Sequence, residues 1–378
     1  MPNQAAHDRW PSLAYSRRSC SRRTALSWVM TGGILGSLSL FGTSSAQESS
    51  LTIAAKRRQM SDVLPIASRT VRLKPVEANL PRAVVTAITA DPRGEVLAVS
   101  GDDHAIRIVD MESLNVLETL QGHRDLIRTM AFSPDGRKLV SAGNDGQLIV
   151  WSRDRDYRIQ QRMQGTPALA CVTFSPDGRQ MAAVGFDNTV FMIGSKAGEQ
   201  PVFKCDCKDL RTVAYRGDAK VLAVAGRSGD LHLFDPQSGS VAFEGPTHKG
   251  RIQDIEFWPG SGQLASVGDD GTAVVFDSKS MKQVNRIQVS TCKLYAVSIL
   301  DRDHIAVAGS DNAIRIVDIN EGATVRKLEG HQGSISALAF YNGRLFSGGF
   351  DATLRRWSVD QVTGKPERIA EGEHGIER

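Results

Sequence analysis

Three times along the chain a histidine is followed by a serine and, four residues after that serine, by an aspartate: His123, Ser141 and Asp145; His248, Ser266 and Asp270; His331, Ser347 and Asp351. Serine, imidazole and carboxylate are the parts of a nucleophilic triad. Their recurrence argues against that chemistry. The histidines return at the spacing of a repeat, so they read as members of a structural network and not as general bases, and the aspartates read the same way. No serine lies in a nucleophile elbow. Cys205-x-Cys207 is the one cysteine cluster; on a strand its side chains share a face and supply at most two thiolates, where a structural zinc needs four ligands. Cys171 and Cys292 would have to join from elsewhere, so packing is the simpler reading. Gly226-x-x-Gly229 lacks the strand-to-helix context of a phosphate loop and reads as a turn. No catalytic residue, metal or cofactor is expected.

The elements that hold these residues repeat. An acidic turn marks each unit at Asp103, Asp145, Asp187, Ser228, Asp270, Asp311 and Asp351, with successive separations of 42, 42, 41, 42, 41 and 40 residues. Seven such units mean one supersecondary unit reused, each burying its faces against its neighbours. Ala105-Ile106-Arg107-Ile108-Val109-Asp110 recurs as Ala313-Ile314-Arg315-Ile316-Val317-Asp318, and Phe132-Ser133-Pro134-Asp135-Gly136-Arg137 recurs as Phe174-Ser175-Pro176-Asp177-Gly178-Arg179. Short alternating runs such as Lys138 to Ala142 and Gln147 to Trp151 are separated by Pro-Asp-Gly or Asn-Asp-Gly, which suit tight turns and hairpins. The expectation is an all-β chain of four-stranded antiparallel blades.

At these residues the chain resembles the WD-repeat (WD40) family of seven-bladed β-propellers, over about three quarters of its length. Blade two offers Gly122-His123, Ser141, Asp145 and Trp151; blade seven offers Gly330-His331, Ser347, Asp351 and Trp357. The resemblance implies a buried hydrogen-bond chain in each, from indole to hydroxyl to imidazole to carboxylate. Blade five keeps His248, Ser266 and Asp270 but has Phe276, which cannot donate. Blades one, three and six keep only the aspartate, with Val109, Ile193 and Val317 at the tryptophan position, and blade four has Ser228 and Phe234. Trp151 and Trp357 are each followed by serine, so the Trp-Asp pair is never complete. The degenerate blades are expected to be held by apolar packing. Closing the ring removes exposed strand edges, and Thr70 to Val76 is expected to supply the outer strand of the last blade. The competing closure uses the tail, Pro366 to Ala370.

Aligning the blades places a set of residues on the top face: Leu126, Arg128 and Asn144 in blade two, Phe186 in blade three, Arg211 and Arg227 in blade four, Arg251, Gln253 and Asp269 in blade five, Ser334, Ser336 and Phe350 in blade seven, and Asp102 in blade one. Arginines beside phenylalanines suit an interface and imply an acidic partner surface.

Residues 1–46 hold Arg9, Arg17, Arg18, Arg22 and Arg23 against Asp8 and so carry the whole formal charge of +4; the rest has 41 basic and 41 acidic residues. A neutral remainder lacks the footprint of a nucleic-acid binder. Arg22-Arg23, an apolar run from Ala25 to Phe41 and a small-residue site ending at Ala46 describe a signal peptide of the twin-arginine type, on a bacterial protein. Cys20 would leave with it. The expected layout is a signal peptide at 1–46, a flexible leader at 47–66, a propeller at 67–373 and a tail at 374–378. The expected function is a non-enzymatic, monomeric protein-interaction scaffold in the periplasm or cell envelope, touching membrane only if the N-terminal apolar segment stays uncleaved. The same platform inside the cell is a further possibility. An enzyme or small-ligand binder at the central channel is the alternative, disfavoured because the even spacing leaves no insertion for a lid.

Overall fold

In the turn Ser133-Pro134-Asp135-Gly136 the Ser133 hydroxyl donates to Asp135 Oδ1 (2.5 Å) and accepts the Lys138 N–H (2.9 Å). Gly136 reverses the chain at φ +67°, where a side chain would also meet Asp91. The second copy repeats the arrangement from Ser175 to Asp177 (2.6 Å) and to the Gln180 N–H (3.0 Å). Local chemistry of this kind makes antiparallel neighbours of consecutive strands.

The structure is a computed structural model that describes residues 68–76, 82–194, 202–205 and 209–359. These form seven four-stranded antiparallel sheets. Blade one comprises Val85–Ala90, Val96–Gly101, Ala105–Asp110 and Val116–Gln121; the first strands of blades two to seven are Ile127–Phe132, Leu169–Phe174, Leu210–Tyr215, Ile252–Phe257, Leu294–Ile299 and Ile335–Tyr341. Each first strand packs against those of both neighbours around the whole ring, so together they line the central channel. Seven apolar clusters fill the seven junctions. Ile106, Ile108, Phe132, Leu139 and Trp151 join blades one and two, and Leu97, Val99, Phe346 and Leu354 join blades one and seven. Each fully buried large apolar side chain contributes about 1.5–3 kcal/mol, so every junction is a core of its own. Among the described residues a single 3-10 turn, Arg153–Arg155, interrupts the strands. No helix among the described residues is long and apolar enough to cross a membrane.

Two devices order the channel wall. The second strand of blade four ends on Gly226, where a Cβ would lie 2.3 Å from the Asp209 carbonyl; Gly143 of blade two stands likewise 2.2 Å from the Leu126 carbonyl. The close approach leaves the first strand one residue long for its partner. The bulged residues are Arg128 in blade two, Arg211 in blade four and Gln253 in blade five. From the bulge onward, side chains bridge to the free backbone edge of the next blade: Thr129 Oγ1 accepts Val172 N–H (3.3 Å), Asp254 accepts Val297 N–H (3.0 Å), Glu256 accepts Ile299 N–H (3.2 Å), and the hydroxyl of Ser336, the bulged residue of blade seven, donates to the Val85 carbonyl (2.6 Å).

Ser68–Arg72 pairs antiparallel with Thr353–Ser358, in the register Ser68 to Trp357 and Arg72 to Thr353, as the fourth strand of blade seven. The expected span of Thr70 to Val76 is displaced. Pairing starts two residues earlier and ends at Arg72, because Leu73 turns inward to the blade-one core, Pro75 has no N–H to give, and the Val76 N–H goes to Asp103 (2.8 Å). The signal, leader, tail and competing closure expected from sequence lie outside the described residues.

Removing the chain through Arg72 is expected to lower the thermal midpoint by about 5 °C or more and to produce concentration-dependent association through the opened edge of Thr353–Ser358. Thermal unfolding and sedimentation velocity check both; an unchanged midpoint in a monomer would show that blade seven stands without its fourth strand.

Candidate functional site

The recurrent His, Ser and Asp do assemble with triad connectivity. In blade two His123 Nδ1 bonds Asp145 (2.9 Å), His123 Nε2 bonds the Ser141 hydroxyl (2.8 Å), and Trp151 Nε1 donates to that same hydroxyl (2.9 Å). Blade seven repeats it: His331 to Asp351 (3.0 Å), His331 to Ser347 (2.7 Å), Trp357 to Ser347 (2.9 Å). Burial pushes the His123 imidazole down, against the pull of Asp145, so the ring is neutral near pH 7. A neutral ring that donates from Nδ1 to the carboxylate accepts at Nε2 from the serine, whose oxygen takes the indole N–H. The chain of bonds is complete in one direction. Ser141 and Ser347 are both 0% exposed. A hydroxyl with no solvent path and an occupied lone pair is no nucleophile; these serines hold the blade together.

Blade five keeps His248 to Asp270 (3.0 Å) and His248 to Ser266 (2.9 Å), with Thr272 donating to Asp270 (2.8 Å). Burial opposes ionisation of Asp270, yet the bonds from His248, the Lys249 N–H and Thr272 bring its carboxyl down to about 2. Phe276 replaces the indole and packs on Phe243 at 4.7 Å between centroids.

Blades one and six depart from the expectation of apolar packing alone. Arg107 grips Asp103 with both prongs and donates to the Lys74 carbonyl (2.7 Å), and Arg315 pairs with Asp311 (2.6 Å). An arginine four residues after the turn aspartate thus does for the carboxylate what histidine does elsewhere. The signal was in the repeated Ala-Ile-Arg-Ile-Val-Asp, where an arginine sits at a strand position that holds Ile149, Phe191 and Val274 in three other blades. Cys205 is buried and disulfide-bonded, where packing alone is the expectation from sequence; Cys207 lies outside the described residues. No metal-holding group of His, Cys, Asp or Glu occurs among the described residues.

The rim residues divide. Those of blades two to five come together at the channel mouth. Arg128 Nε donates to Asn144 (2.8 Å), and the Arg128 and Arg211 guanidinium carbons each stand 5.3 Å from the centroid of the Phe186 ring, which is 39% exposed. Arg211 Nε reaches Gln253 (3.4 Å), and Gln253 donates to Asp269 (2.8 Å). Burial, then repulsion from Arg128 and Arg251, brings the Arg211 guanidinium down to about 10. Burial also lowers Arg128. Two expected positions are occupied within the protein: Arg251 is ion-paired with Asp209 (2.5 Å), and Asp269 also takes Lys293 (2.7 Å). Asp209 and Lys293 hold the same repeat position as Leu126, Arg251 and Ser334, the residue just before the first strand. Leu126 is half-buried, with its carbonyl on the Asn144 N–H (2.9 Å). Arg227 is exposed and uses only its backbone, to the Asp209 carbonyl (3.1 Å). Three expected top-face residues turn to the backbone. Asp102 accepts the Val84 N–H (2.7 Å), the Ser334 carbonyl accepts Phe350 N–H (2.9 Å), and the Ser336 hydroxyl is spent on the Val85 carbonyl. The Phe350 ring is 53% exposed in blade seven and joins no cluster among the described residues.

Below the mouth lie Asp254 and Glu256, two acids on alternate positions of one first strand. Burial raises Asp254 to about 7; burial and then the Asp254 charge raise Glu256 to about 8. The Cys171 thiol, on the first strand of blade three, is pushed up by burial and by Asp254.

These bonds set two measurable outcomes. Ser141→Ala strands an indole N–H and leaves His123 Nε2 without a donor, and is expected to cost about 2–3 kcal/mol; Ser266→Ala, with no indole to strand, costs about 1 kcal/mol less. Chemical denaturation of both variants measures the difference, and equal losses would mean the indole bond adds nothing. The second concerns pH. Carboxyls raised in the folded state keep protons that the unfolded chain has released, so their contribution to stability falls as pH climbs from about 4 to about 8 and then levels. Asp254→Asn with Glu256→Gln is expected to flatten that fall and to melt above the parent at pH 9; a parent profile that the double variant reproduces would refute it.

The WD domain, G-beta repeat model matches residues 114–152, 159–193, 240–277 and 322–358. Each matched segment runs from a fourth strand through the first three strands of the next blade, an offset that leaves blade seven needing a strand from elsewhere. The chain is 23% identical over 320 residues to eukaryotic translation initiation factor 3 subunit I of Brugia malayi, covering 76% of this chain and 97% of that one. It is 24% identical over 295 residues to transducin beta-like protein 3 of Bos taurus, covering 76% of this chain but 33% of that one, and 21% identical over 270 residues to a transcriptional corepressor of Arabidopsis thaliana, covering 70% and 29%. With seven four-stranded sheets in a ring and histidine, serine and tryptophan networks in two of them, the chain is a seven-bladed β-propeller, four segments of which match the WD40 repeat.

Proposed function

We propose that this propeller is a non-enzymatic scaffold, exported to the periplasm or cell envelope, that presents the channel-side rim of blades two to five to acidic surfaces of partner proteins. One observation carries the reading: Arg128, Arg211 and the half-exposed Phe186 converge at the mouth, and neither guanidinium has an ion-pair partner among the described residues. Arginine and aromatic side chains are enriched where interface energy concentrates, and a cation half withdrawn from water gains most from an arriving carboxylate. Two of the similar proteins are named for work within assemblies, as a subunit of an initiation factor and as a corepressor. Binding to other proteins is the mode of action this suits. The export reading rests on Arg22-Arg23, the apolar run from Ala25 and the small residues before Gln47.

The experiment is crosslinking capture from the cell envelope with tagged protein, beside a variant carrying Arg128→Glu, Arg211→Glu and Arg251→Glu. A partner held by the parent and lost by the variant is expected. Equal recovery would move the interface to the sides or bottom of the ring, and no partner in any fraction would refute the scaffold.

A further inference from the structure

Resting on that scaffold reading, we infer that Arg128 and Arg211 form a subsite for one carboxylate of an acidic partner segment, with Phe186 as the platform for the apolar side chain beside it. The two guanidinium carbons flank a single ring and lie no more than about 11 Å apart. Arg128 commits Nε to Asn144 and Arg211 commits Nε to Gln253. Their terminal Nη groups donate to nothing among the described residues, which leaves the forks that a carboxylate accepts from two sides. Anchored at Nε and stacked on Phe186, both side chains have lost much of their freedom before a ligand arrives.

Charge selects the class. The groups that touch or act on this pair are Arg251 and Lys293 on the positive side and Asp125, Asp209 and Asp269 on the negative side. Together with Arg128 and Arg211 they carry a formal net charge of +1. A carboxylate neutralises that, whereas a phosphate dianion would overshoot and meet three aspartates. The setting selects a chain over a free ion. Phe186 offers apolar surface that an isolated anion cannot use, and the mouth is an open rim where a small ion would exchange with water. Arg251 takes no part in the contact: Asp209 holds its cation, and its place is to keep that carboxylate off Arg211.

The test is fluorescence anisotropy of the full chain with a labelled peptide of alternating glutamate and leucine, beside its glutamine–leucine counterpart and inorganic sulfate as competitor. Arg128→Gln and Arg211→Gln are each expected to weaken the glutamate peptide about tenfold or more. Arg128→Lys loses most of that because the fork is gone, and Phe186→Ala weakens binding about threefold or more. Arg302→Gln, an equal charge change in a turn at the other end of the channel, serves as control and stays within about twofold of the parent, with thermal midpoints confirming folded variants. Equal binding of the two peptides, parent-like binding by both glutamine variants, or displacement by sulfate at the peptide's own concentration overturns the subsite. Should the envelope capture lose its partner with the triple variant while the peptide fails to bind, the scaffold stands and the carboxylate subsite falls; a bound peptide without any captured partner leaves the subsite and removes the scaffold.

Discussion

Six of the seven second strands end on a glycine that the backbone carbonyl just before the first strand presses against, from Leu126 at Gly143 to Ser334 at Gly349, at 1.9–2.6 Å from where a Cβ would be. This contact governs both the rim and the channel wall. In these six blades it accompanies the extra residue of the first strand, which in blades two, four and five stands at the channel mouth as Arg128, Arg211 and Gln253. It also sets the phase of the residues below, so that Thr129 and Asp254 reach the next blade's open edge at hydrogen-bonding distance, as the bulged Ser336 itself does in blade seven. A ring of first strands has no further strand to cover its inner edges. Side chains from the preceding blade take that part, and the glycines make their reach possible.

The turn aspartate shows how one polar requirement tolerates different sequences. A buried carboxylate needs donors, and the fold supplies them from whichever neighbour carries one: His123, His248 and His331 from the loop before the first strand, or Arg107 and Arg315 from within the third strand. Both solutions leave the aspartate's backbone duties intact, since Asp145, Asp270 and Asp351 also take N–H groups two residues on. Phe276 is acceptable in blade five for the complementary reason. A phenyl ring brings no donor, so its arrival strands nothing and leaves Ser266 with its imidazole bond. Degeneracy of the repeat is therefore a change of partner, and the blade geometry survives it.

Periodicity decided how much could be read before the structure. The networks of blades two, five and seven were legible because the serine lies four residues before the turn aspartate in each, with a histidine 20 or 22 residues before it, and repetition makes the pattern visible. Contacts between offsets were not. That Asp209 would claim Arg251, and Lys293 would claim Asp269, depends on how neighbouring blades set these side chains beside one another, which no single repeat shows. Asp254 and Glu256 carried a local signal, two acids on alternate residues of a first strand, but their burial depends on the blade-six edge they cap. Closure was legible in kind and displaced in detail. Alternation in Thr70 to Val76 marked a strand, whereas its end at Arg72 was set by Asp103 and Lys74 across the blade, through the Val76 N–H and Arg107.

The channel's two charged layers then bear on the rim. Arg211 and Gln253 are bulged residues immediately above Thr212 and Asp254, so one acid, under Gln253, stands a layer beneath the mouth arginines. If Asp254 were an ordinary carboxylate it would offset them and blunt any attraction for an acidic partner. It is occupied instead by the Ile255 and Val297 N–H groups, and burial holds its titration near neutrality. Glu256, raised further by its neighbour, is protonated through most of the same range. Burial, working against the pull of those N–H groups toward the charged form, thus weakens the acids' offset of the mouth, and the cations of Arg128 and Arg211 remain the ones an incoming carboxylate meets.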